Sequence, residues 1–392
     1  MEHDTKTPQY DTADPTSFAH ASVRQRWPAI IDGAVGDVSR SVAESEDADK
    51  QAEGESIVEQ LKALKERMMS GAALTCRPLE DDGFPDEVGS YNRELSQLGD
   101  PPNWHNVPWL FSECYMYRYL PPCMDMRVFD NQTQLTIHDR FIHSLFLRTS
   151  HWKRYDVFAR QKINGFKDSR VGVIELAARY KELIEGLRKQ KDQALDPDAE
   201  KTLFAEMFDI CLWGNATDLS LLTTLTQDDI QRLQGAKARK AAEKNILAND
   251  TQATYDLLEK ARASGDKDRR VDIVLDNAGF ELYADLIMAG YLLASGLATR
   301  IVLHPKSIPW FVSDVMPNDF AGLLNALANS KATFGESEAL SEKELQDLSF
   351  VFQDWATYHG EGQLLIRANR YWTSGGKSVW VVTATPRSGH PT

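Results

Sequence analysis

Residues Val271 to His304 read VDIVLDNAGFELYADLIMAGYLLASGLATRIVLH, and this pattern sets the predicted fold. A short apolar, β-branched run, Val271–Asp276, comes first and is typical of a buried strand. A helical pattern follows it and ends at Gly296. A second apolar run, Arg300–His304, completes a strand, helix, strand unit. This order predicts parallel strands joined by a right-handed crossover.

The pattern on either side of this unit predicts the rest of the architecture. Further strands are expected at Gln363–Ile366 and Ser378–Val382, whereas the chain before residue 260 is almost entirely helical in pattern. The predicted fold class is α/β, with a helical N-terminal part packed on a three-layer α/β part whose sheet is largely parallel. The predicted boundaries are a disordered terminus at 1–15, a mainly helical part at 16–260, an α/β part with the metal site at 261–382 and a disordered tail at 383–392.

The N-terminal helices are predicted from apolar residues that recur at helical spacing. They are expected at Ser22–Val42, Ile57–Met69, Val88–Leu95, Val171–Leu187 and Lys201–Cys211. The block Trp104–Phe166 is unusually rich in aromatic residues, which we interpret as the packing core between helices.

Composition narrows the class of partner. The chain has 44 Lys and Arg against 58 Asp and Glu, a formal net charge of −14, which disfavours nucleic-acid and membrane partners. The longest apolar region, Leu282–Leu303, is interrupted by Asp285 and Arg300, so no membrane span is predicted. The 4 cysteines lack metal-binding spacing and are interpreted as reduced thiols. A cytoplasmic location is expected, with the nucleus as an alternative.

Polar residues follow both predicted strands at their carboxyl ends, where ligands of open α/β sheets bind. Asp276 and Asn277 follow the first strand, and Lys306 and Asp314 follow the second. Two carboxylates and an amide oxygen form a donor set that suits a hard cation such as Mg²⁺ or Mn²⁺. An Asp-Asn pair after a strand is also typical of a helix cap or turn, and the spacing alone leaves both interpretations open.

Three other groups of acidic residues have competing interpretations. Glu281 and Asp285 lie on one face of the predicted helix, where Asp285 could be solvated. Glu113 lies in an aromatic segment, and a partner such as Arg118 or Arg148 is expected because an unpaired buried charge is costly. Asn215 and Asp218 offer polar atoms in Trp213–Asp218, a cluster that could equally cap a helix.

Several common catalytic motifs do not occur in the sequence. GxGxxG, GxSxG and HExxH are absent, and the run Gly375–Ser378 matches only the end of a P-loop and precedes a predicted strand. Kinase, P-loop NTPase, α/β-hydrolase and zincin interpretations are therefore disfavoured.

Five ordered motifs resemble the damage-control phosphatase family, formerly domain of unknown function 89, in its sugar-phosphate phosphatase and acidic-residue methyltransferase subfamily. The motifs lie at Asn103–Arg118, Trp152–Phe158 with Gln161 and Lys162, Leu212–Ser220, Asp276–Leu282 and His304–Asp314. The likeness runs from about Thr16 to Trp380.

The resemblance implies a metal-dependent phosphatase acting on small phosphometabolites, with hexose phosphates such as fructose 1-phosphate as the substrate class. It implies Asp276, Asn277 and Asp314 as ligands of a divalent cation, Mn²⁺ or else Co²⁺, Ni²⁺ or Mg²⁺. Asp276 and Asn277 are also the implied catalytic and substrate-contacting residues. We further expect substrate contacts from Asn215, Asp218 and Lys306.

The resemblance also implies an alternative activity. It does not extend to the last residues of the chain. Under the alternative, the protein is an S-adenosylmethionine-dependent methyltransferase of protein glutamates, and Glu113, Glu281 and Asp314 contact the cofactor. Beyond Trp380 the family pattern continues into Lys-Gly-Asp-Leu-Asn and Arg-Thr-x-Lys motifs that bind substrate, and neither occurs here. We therefore expect a C-terminally incomplete α/β part, with a truncated inactive metal-binding remnant as a further alternative.

Overall fold

The structure is a computed structural model that describes residues 8–74, 85–98, 101–118, 146, 149–189, 197–214, 246–335 and 338–373. Its elements follow in chain order. The helices are α1 Phe18–Ala21, α2 Trp27–Ala43, α3 Ala48–Met69, α4 Pro85–Gln97, α5 Trp109–Arg118, α6 Ala159–Asp168, α7 Arg170–Lys189, α8 Pro197–Leu212, α9 Thr251–Ala263, α10 Phe280–Ala294, α11 Pro317–Ala328, α12 Ser330–Phe334 and α13 Glu342–Gly360. The strands are β1 Arg270–Val274, β2 Arg300–His304 and β3 Leu364–Ile366. A π-helical turn, Ser22–Arg26, joins α1 to α2, and a 3-10 turn, Arg370–Thr373, follows β3.

Within the described residues, the sheet has the order β1-β2-β3, and both pairs of neighbours are parallel. Arg270 pairs with Arg300 and Val274 with His304, while Ile301 pairs with Leu364. The prediction of an α/β fold with a helical N-terminal part and a parallel sheet is confirmed. Strand β1 ends two residues before the predicted end at Asp276, because the Asp276 carbonyl accepts from the backbone N–H of Val315 instead.

The chain divides into two compact units. One comprises residues 1–158, 308–312 and 370–392, and the other comprises 159–307 and 313–369. The boundaries predicted at residues 15, 260 and 382 stay predictions. The expected strand Ser378–Val382 lies outside the described residues.

The first unit is built on aromatic packing. Helices α2 and α3 pack together, and the aromatic block predicted as core supplies buried side chains to the same hydrophobic cluster. Its largest fully buried side chains include Trp27, Trp104, Tyr115, Tyr117 and Trp152. The interpretation of the aromatic block as packing core is confirmed for Trp104, Tyr115, Tyr117 and Trp152, whereas Trp27 lies outside the block.

The second unit is organised around α10. Every residue from Phe280 to Leu292 is buried, so this helix is enclosed on all sides rather than amphipathic. It packs against α7, α8 and α13, and its core also includes Leu303 of β2 and Trp355 of α13. The enclosure also takes in Glu281 and Asp285, two acidic side chains in an otherwise apolar helix.

Gly279 turns the chain from β1 into α10. It is the N-cap residue of the helix and has φ 75° and ψ −129°, a conformation that side chains other than glycine rarely adopt. A Cβ there would meet the Lys162 carbonyl oxygen at 3.6 Å, an ordinary contact, so the backbone alone demands glycine.

Replacing Gly279 with alanine is therefore expected to lower the free energy of unfolding by about 1–3 kcal/mol. Gly322→Ala is the matched control, because Gly322 lies within α11 and an added methyl group there would have open space within 4 Å. That change should raise the stability by about 0.5–1 kcal/mol. Urea denaturation of both variants measures the difference, and equal midpoints would contradict the argument.

Candidate functional site

Two loop segments meet beyond the carboxyl end of β1, and backbone hydrogen bonds fix their register. The N–H of Ala278 donates to the Ser313 carbonyl at 2.7 Å, and the N–H of Val315 donates to the Asp276 carbonyl at 2.7 Å. Asn277 and Asp314 face each other in the antiparallel bridge between these bonds. The main chain itself thus brings together residues that are far apart in sequence.

The three predicted metal ligands differ in exposure. Asn277 and Asp314 are only 1% and 5% exposed, whereas Asp276 is exposed. The Asn277 amide nitrogen donates to Asp276 Oδ2 at 3.2 Å and to Glu281 Oε2 at 2.9 Å. Ser313 Oγ donates to the Asn277 amide oxygen. The group therefore presents one accessible carboxylate in front of a buried amide and a buried carboxylate.

Lys306 brings a positive charge close to the predicted metal ligands. Its ammonium lies 3.0 Å from Asp314 Oδ2 and donates to the Leu275 carbonyl at 3.1 Å. Its backbone N–H also donates to the Val315 carbonyl at 2.8 Å, which holds the residue against the Asp314 segment. Lys306 thus lies beside the predicted ligands, and its role in substrate binding stays a prediction.

Burial raises the pKa of the buried carboxyl groups around the site. The pKa of Asp314 rises to about 7, mainly through loss of solvation, while Lys306 opposes the rise and the charge of Asp276 adds to it. Burial likewise raises the pKa of Glu281 to about 8, with contributions from Asp285 and Asp276. Burial thus disfavours the charged forms of these carboxyl groups, and a bound cation would favour them.

Asp285 is buried, which corrects the interpretation that it could be solvated. It is 7% exposed and accepts a hydrogen bond from Cys211 Sγ at 3.0 Å. The error arose because a helix with an acidic residue was expected to have a solvated face, whereas α10 is enclosed on every side. Burial raises the pKa of Asp285 to about 7 and holds the pKa of the Cys211 thiol well above its usual range.

Gly214 lies against the same helix turn. A Cβ on Gly214 would be 3.0 Å from the Ala284 Cβ and 3.4 Å from the Glu281 Cα. Gly214 has no positive φ, so close approach to α10, and not an unusual backbone conformation, is the constraint at this position. The predicted substrate residues Asn215 and Asp218, which follow it, lie outside the described residues.

Glu113 lies in the other unit and pairs with Arg26. The Arg26 guanidinium donates to both carboxylate oxygens of Glu113, whose side chain is 0% exposed. Arg26 comes from the π-helical turn, is remote in sequence from Glu113 and was not among the expected partners. The side chains of the expected partners, Arg118 and Arg148, lie outside the described part of the chain, so that pairing stays a prediction. The cofactor-binding role predicted for Glu113 stays a prediction.

Two residues near the site were missed as functional candidates. Ser313 directly precedes Asp314 and contacts Asn277, as described above. Lys162 is 3% exposed and lies 2.8 Å from Asp319 Oδ2, which also accepts from the Met316 N–H at 2.7 Å. Both residues fall inside the quoted sequence motifs, and this position is the sequence feature that could have identified them as candidates.

The donor chemistry fits a divalent cation held by Asp276, Asn277 and Asp314. Carboxylate and amide oxygens are the ligands that hard cations prefer. In the described part of the chain, no three His, Cys, Asp or Glu side chains form a group arranged to hold a metal. The candidate set does not depend on such a group, because its third member is an amide.

The fold and the site define an α/β protein with an oxygen-rich cluster beyond the carboxyl end of a parallel strand. A model of the damage-control phosphatase ARMT1-like domain matches residues 22–383. The chain belongs to this phosphatase family, which confirms the resemblance.

Relatives named damage-control phosphatase ARMT1 are similar over most of the chain. The Mus musculus protein is 29% identical over 371 residues, covering 92% of this chain and 74% of the relative. The Danio rerio protein is 31% identical over 318 residues, covering 78% and 63%. The Xenopus laevis protein is 31% identical over 332 residues, covering 80% and 67%. The match with these three relatives thus extends over 63% to 74% of their own lengths.

The structure also bears on the prediction that no segment spans a membrane. Among the described helices, none combines the length and the apolar character needed to cross a bilayer.

Proposed function

We propose that this chain is a metal-dependent phosphatase that hydrolyses small phosphometabolites, with hexose phosphates such as fructose 1-phosphate as the substrate class. The observation that carries the proposal is the backbone bridge that sets Asn277 against Asp314, with Asp276 beside them. Membership of the phosphatase family and the names of the relatives support it.

Asp276, Asn277 and Asp314 are the residues that would hold the divalent cation, Mn²⁺ or else Co²⁺, Ni²⁺ or Mg²⁺. When bound, such an ion polarises the phosphoryl group and offsets the negative charge that develops during its transfer. The burial of Asn277 and Asp314 fixes two ligands, whereas the exposure of Asp276 leaves one carboxylate accessible to a substrate.

The chain supplies its own charges for the remaining steps. Asp276 is the carboxylate placed to touch the substrate and to orient or deprotonate the attacking group. The Lys306 ammonium lies 3.0 Å from Asp314 Oδ2, so its positive charge is close to the proposed metal ligands. It is therefore placed to attract the anionic phosphoryl oxygens. The buried surroundings of Lys306 strengthen its effect, since charges interact more strongly where water is excluded.

Phosphate release from a panel of sugar phosphates tests the proposal. The full chain, stripped of metal with a chelator and dialysed, is assayed alone and with Mn²⁺, Co²⁺, Ni²⁺ or Mg²⁺. We expect turnover only with added metal, and highest with a hexose phosphate. Metal binding without phosphate release from any substrate would instead support the non-enzymatic alternative.

The same preparation separates the methyltransferase alternative from the phosphatase. Calorimetric titration with S-adenosylmethionine and with its demethylated product should show no heat of binding if phosphate hydrolysis is the only activity of the site. Saturable heat with either compound, together with an absence of phosphate release, would replace the proposed function by the alternative.

A further inference from the structure

The orientation of one side-chain amide decides whether the proposed site can hold a cation. An asparagine amide has an acceptor oxygen and a donor nitrogen of nearly equal size, so a half-turn about its last bond exchanges them without changing its shape. A hard cation binds only the oxygen. For Asn277, one of the two orientations is therefore competent and the other is not.

Two carboxylates lie on the nitrogen side of the Asn277 amide. Glu281 Oε2 is 2.9 Å from Nδ2, and Asp276 Oδ2 is 3.2 Å from it. The backbone N–H of Asn277 also interacts with the Glu281 carboxylate. The reversed amide would place its oxygen against these two side chains, and an ionised carboxylate has no hydrogen to donate to a carbonyl oxygen.

A hydroxyl lies on the oxygen side. Ser313 Oγ donates to the Asn277 amide oxygen, and Ser313 is only 2% exposed. Its carbonyl accepts from the Ala278 N–H, so the same backbone pairing that aligns Asp314 also holds this hydroxyl in place. An amide oxygen has a second lone pair, which can face a cation while the first accepts from Ser313.

We propose that Glu281 and Ser313 are positioning residues that fix the Asn277 amide with its oxygen toward the cation. The inference rests on the proposed metal site and gives Glu281 a role distinct from cofactor contact. Glu281 acts through the hydrogen bond that it accepts, so a neutral group with an acceptor oxygen at the same place should serve as well. Outer partners of this kind orient ligands in many metal sites.

The test compares two substitutions of Glu281 in the full chain. Glu281→Gln keeps an acceptor oxygen and loses the charge, whereas Glu281→Met keeps the length and loses the acceptor. We expect Glu281→Met to weaken Mn²⁺ binding by about 10–100-fold and Glu281→Gln to bind within about threefold of the parent chain. Titration of the free Mn²⁺ signal by electron paramagnetic resonance gives both affinities, and thermal unfolding without metal shows that each variant is folded.

A second pair of substitutions, at Ser313, tests the oxygen side of the amide. It also tests the inference if Glu281→Met does not fold. Ser313→Ala removes the donor and should weaken Mn²⁺ binding by up to about tenfold, whereas Ser313→Thr keeps the hydroxyl and should restore the affinity. A rescue of this kind is not expected from a residue that only fills space.

Three outcomes would overturn the inference, and one of them concerns the metal site as well. Equal losses in Glu281→Gln and Glu281→Met would show that the charge of Glu281 acts directly on the ion. Unchanged affinity in both Glu281→Met and Ser313→Ala would show that Asn277 needs no positioning. If the parent chain itself binds no Mn²⁺, the proposed metal site fails and the inference fails with it.

Discussion

Replacing Asp276 or Asp314 with alanine is expected to abolish metal binding. Each supplies an anionic oxygen that a methyl group cannot replace, and loss of such a ligand should exceed the 10–100-fold typical of an outer partner. We expect the affinity for Mn²⁺ to fall by more than about 100-fold, or about 2.8 kcal/mol. Asn277→Ala should weaken binding less, because a neutral amide contributes less to the field at the ion.

Asp276→Ala is the cleaner of the two variants. Asp276 is exposed, and the Asn277 amide nitrogen that donates to it also donates to Glu281, whereas Asp314→Ala would leave Lys306 without its counter-charge. Asp314→Asn preserves the shape and keeps a neutral ligand oxygen, so its comparison with Asp314→Ala separates loss of the charge from loss of the ligand atom. Isothermal titration with Mn²⁺ measures the affinity, and thermal unfolding confirms that each variant is folded.

Asp272→Ala is the matched control for these variants. Asp272 carries the same charge on β1, but its partners are Arg270 and His304 rather than the site residues. Its removal should leave the Mn²⁺ affinity within about twofold, because exposed charges are screened by solvent and salt. Unchanged metal stoichiometry in both Asp276→Ala and Asp314→Ala would refute the assignment of the ligands.

The strand, helix, strand unit could be predicted because each of its signals is local. Apolar β-branched residues mark β1 and β2, and a glycine precedes and follows α10, so neighbouring residues alone indicate the elements. The convergence of Asp276, Asn277 and Asp314 was also predictable, since parallel strands end at one edge of a sheet. The bridge between Asn277 and Asp314 agrees with that expectation.

The partners of buried acidic side chains could not be predicted in the same way. Arg26 and Glu113 are 87 residues apart in sequence, and no local pattern favours Arg26 over the arginines nearer to Glu113. The Cys211 and Asp285 pair is separated by 74 residues and depends on how α8 packs against α10. Such partners follow from tertiary packing, which the periodicity of one helix does not specify.

The burial of α10 was indicated by its apolar composition, but the two acidic residues were given more weight. The helix from Phe280 to Ala294 contains almost no polar residues, which is the composition of an enclosed helix. Glu281 and Asp285 were nevertheless interpreted as members of one face of an ordinary helix. In an enclosed helix, each acidic residue needs a partner, and Asn277 and Cys211 are the partners that the structure provides.

Replacing Lys306 with methionine is expected to affect metal binding and turnover in opposite directions. In the parent chain, the Lys306 ammonium is 3.0 Å from Asp314 Oδ2, so it competes with a cation for the same carboxylate. Lys306→Met removes this competitor, and we expect Mn²⁺ to bind about tenfold more tightly, since two positive charges near one another repel. Turnover of a sugar phosphate should fall by about 100-fold or more, because a positive group that stabilises the developing charge is lost.

The metal-free stability of Lys306→Met provides a second measurement of the same pair. Loss of the ammonium leaves the buried Asp314 carboxylate without its counter-charge, so the free energy of unfolding should fall by up to about 3–5 kcal/mol. Because a bound cation replaces that counter-charge, saturating Mn²⁺ should raise the melting temperature of the variant more than that of the parent chain. Lys343→Met is the control: Lys343 pairs with Asp347 at 2.9 Å, but its side chain is 78% exposed, so the loss should stay below about 1 kcal/mol. Weaker Mn²⁺ binding in Lys306→Met with unchanged turnover would show that Lys306 supports the ligands and does not act on the substrate.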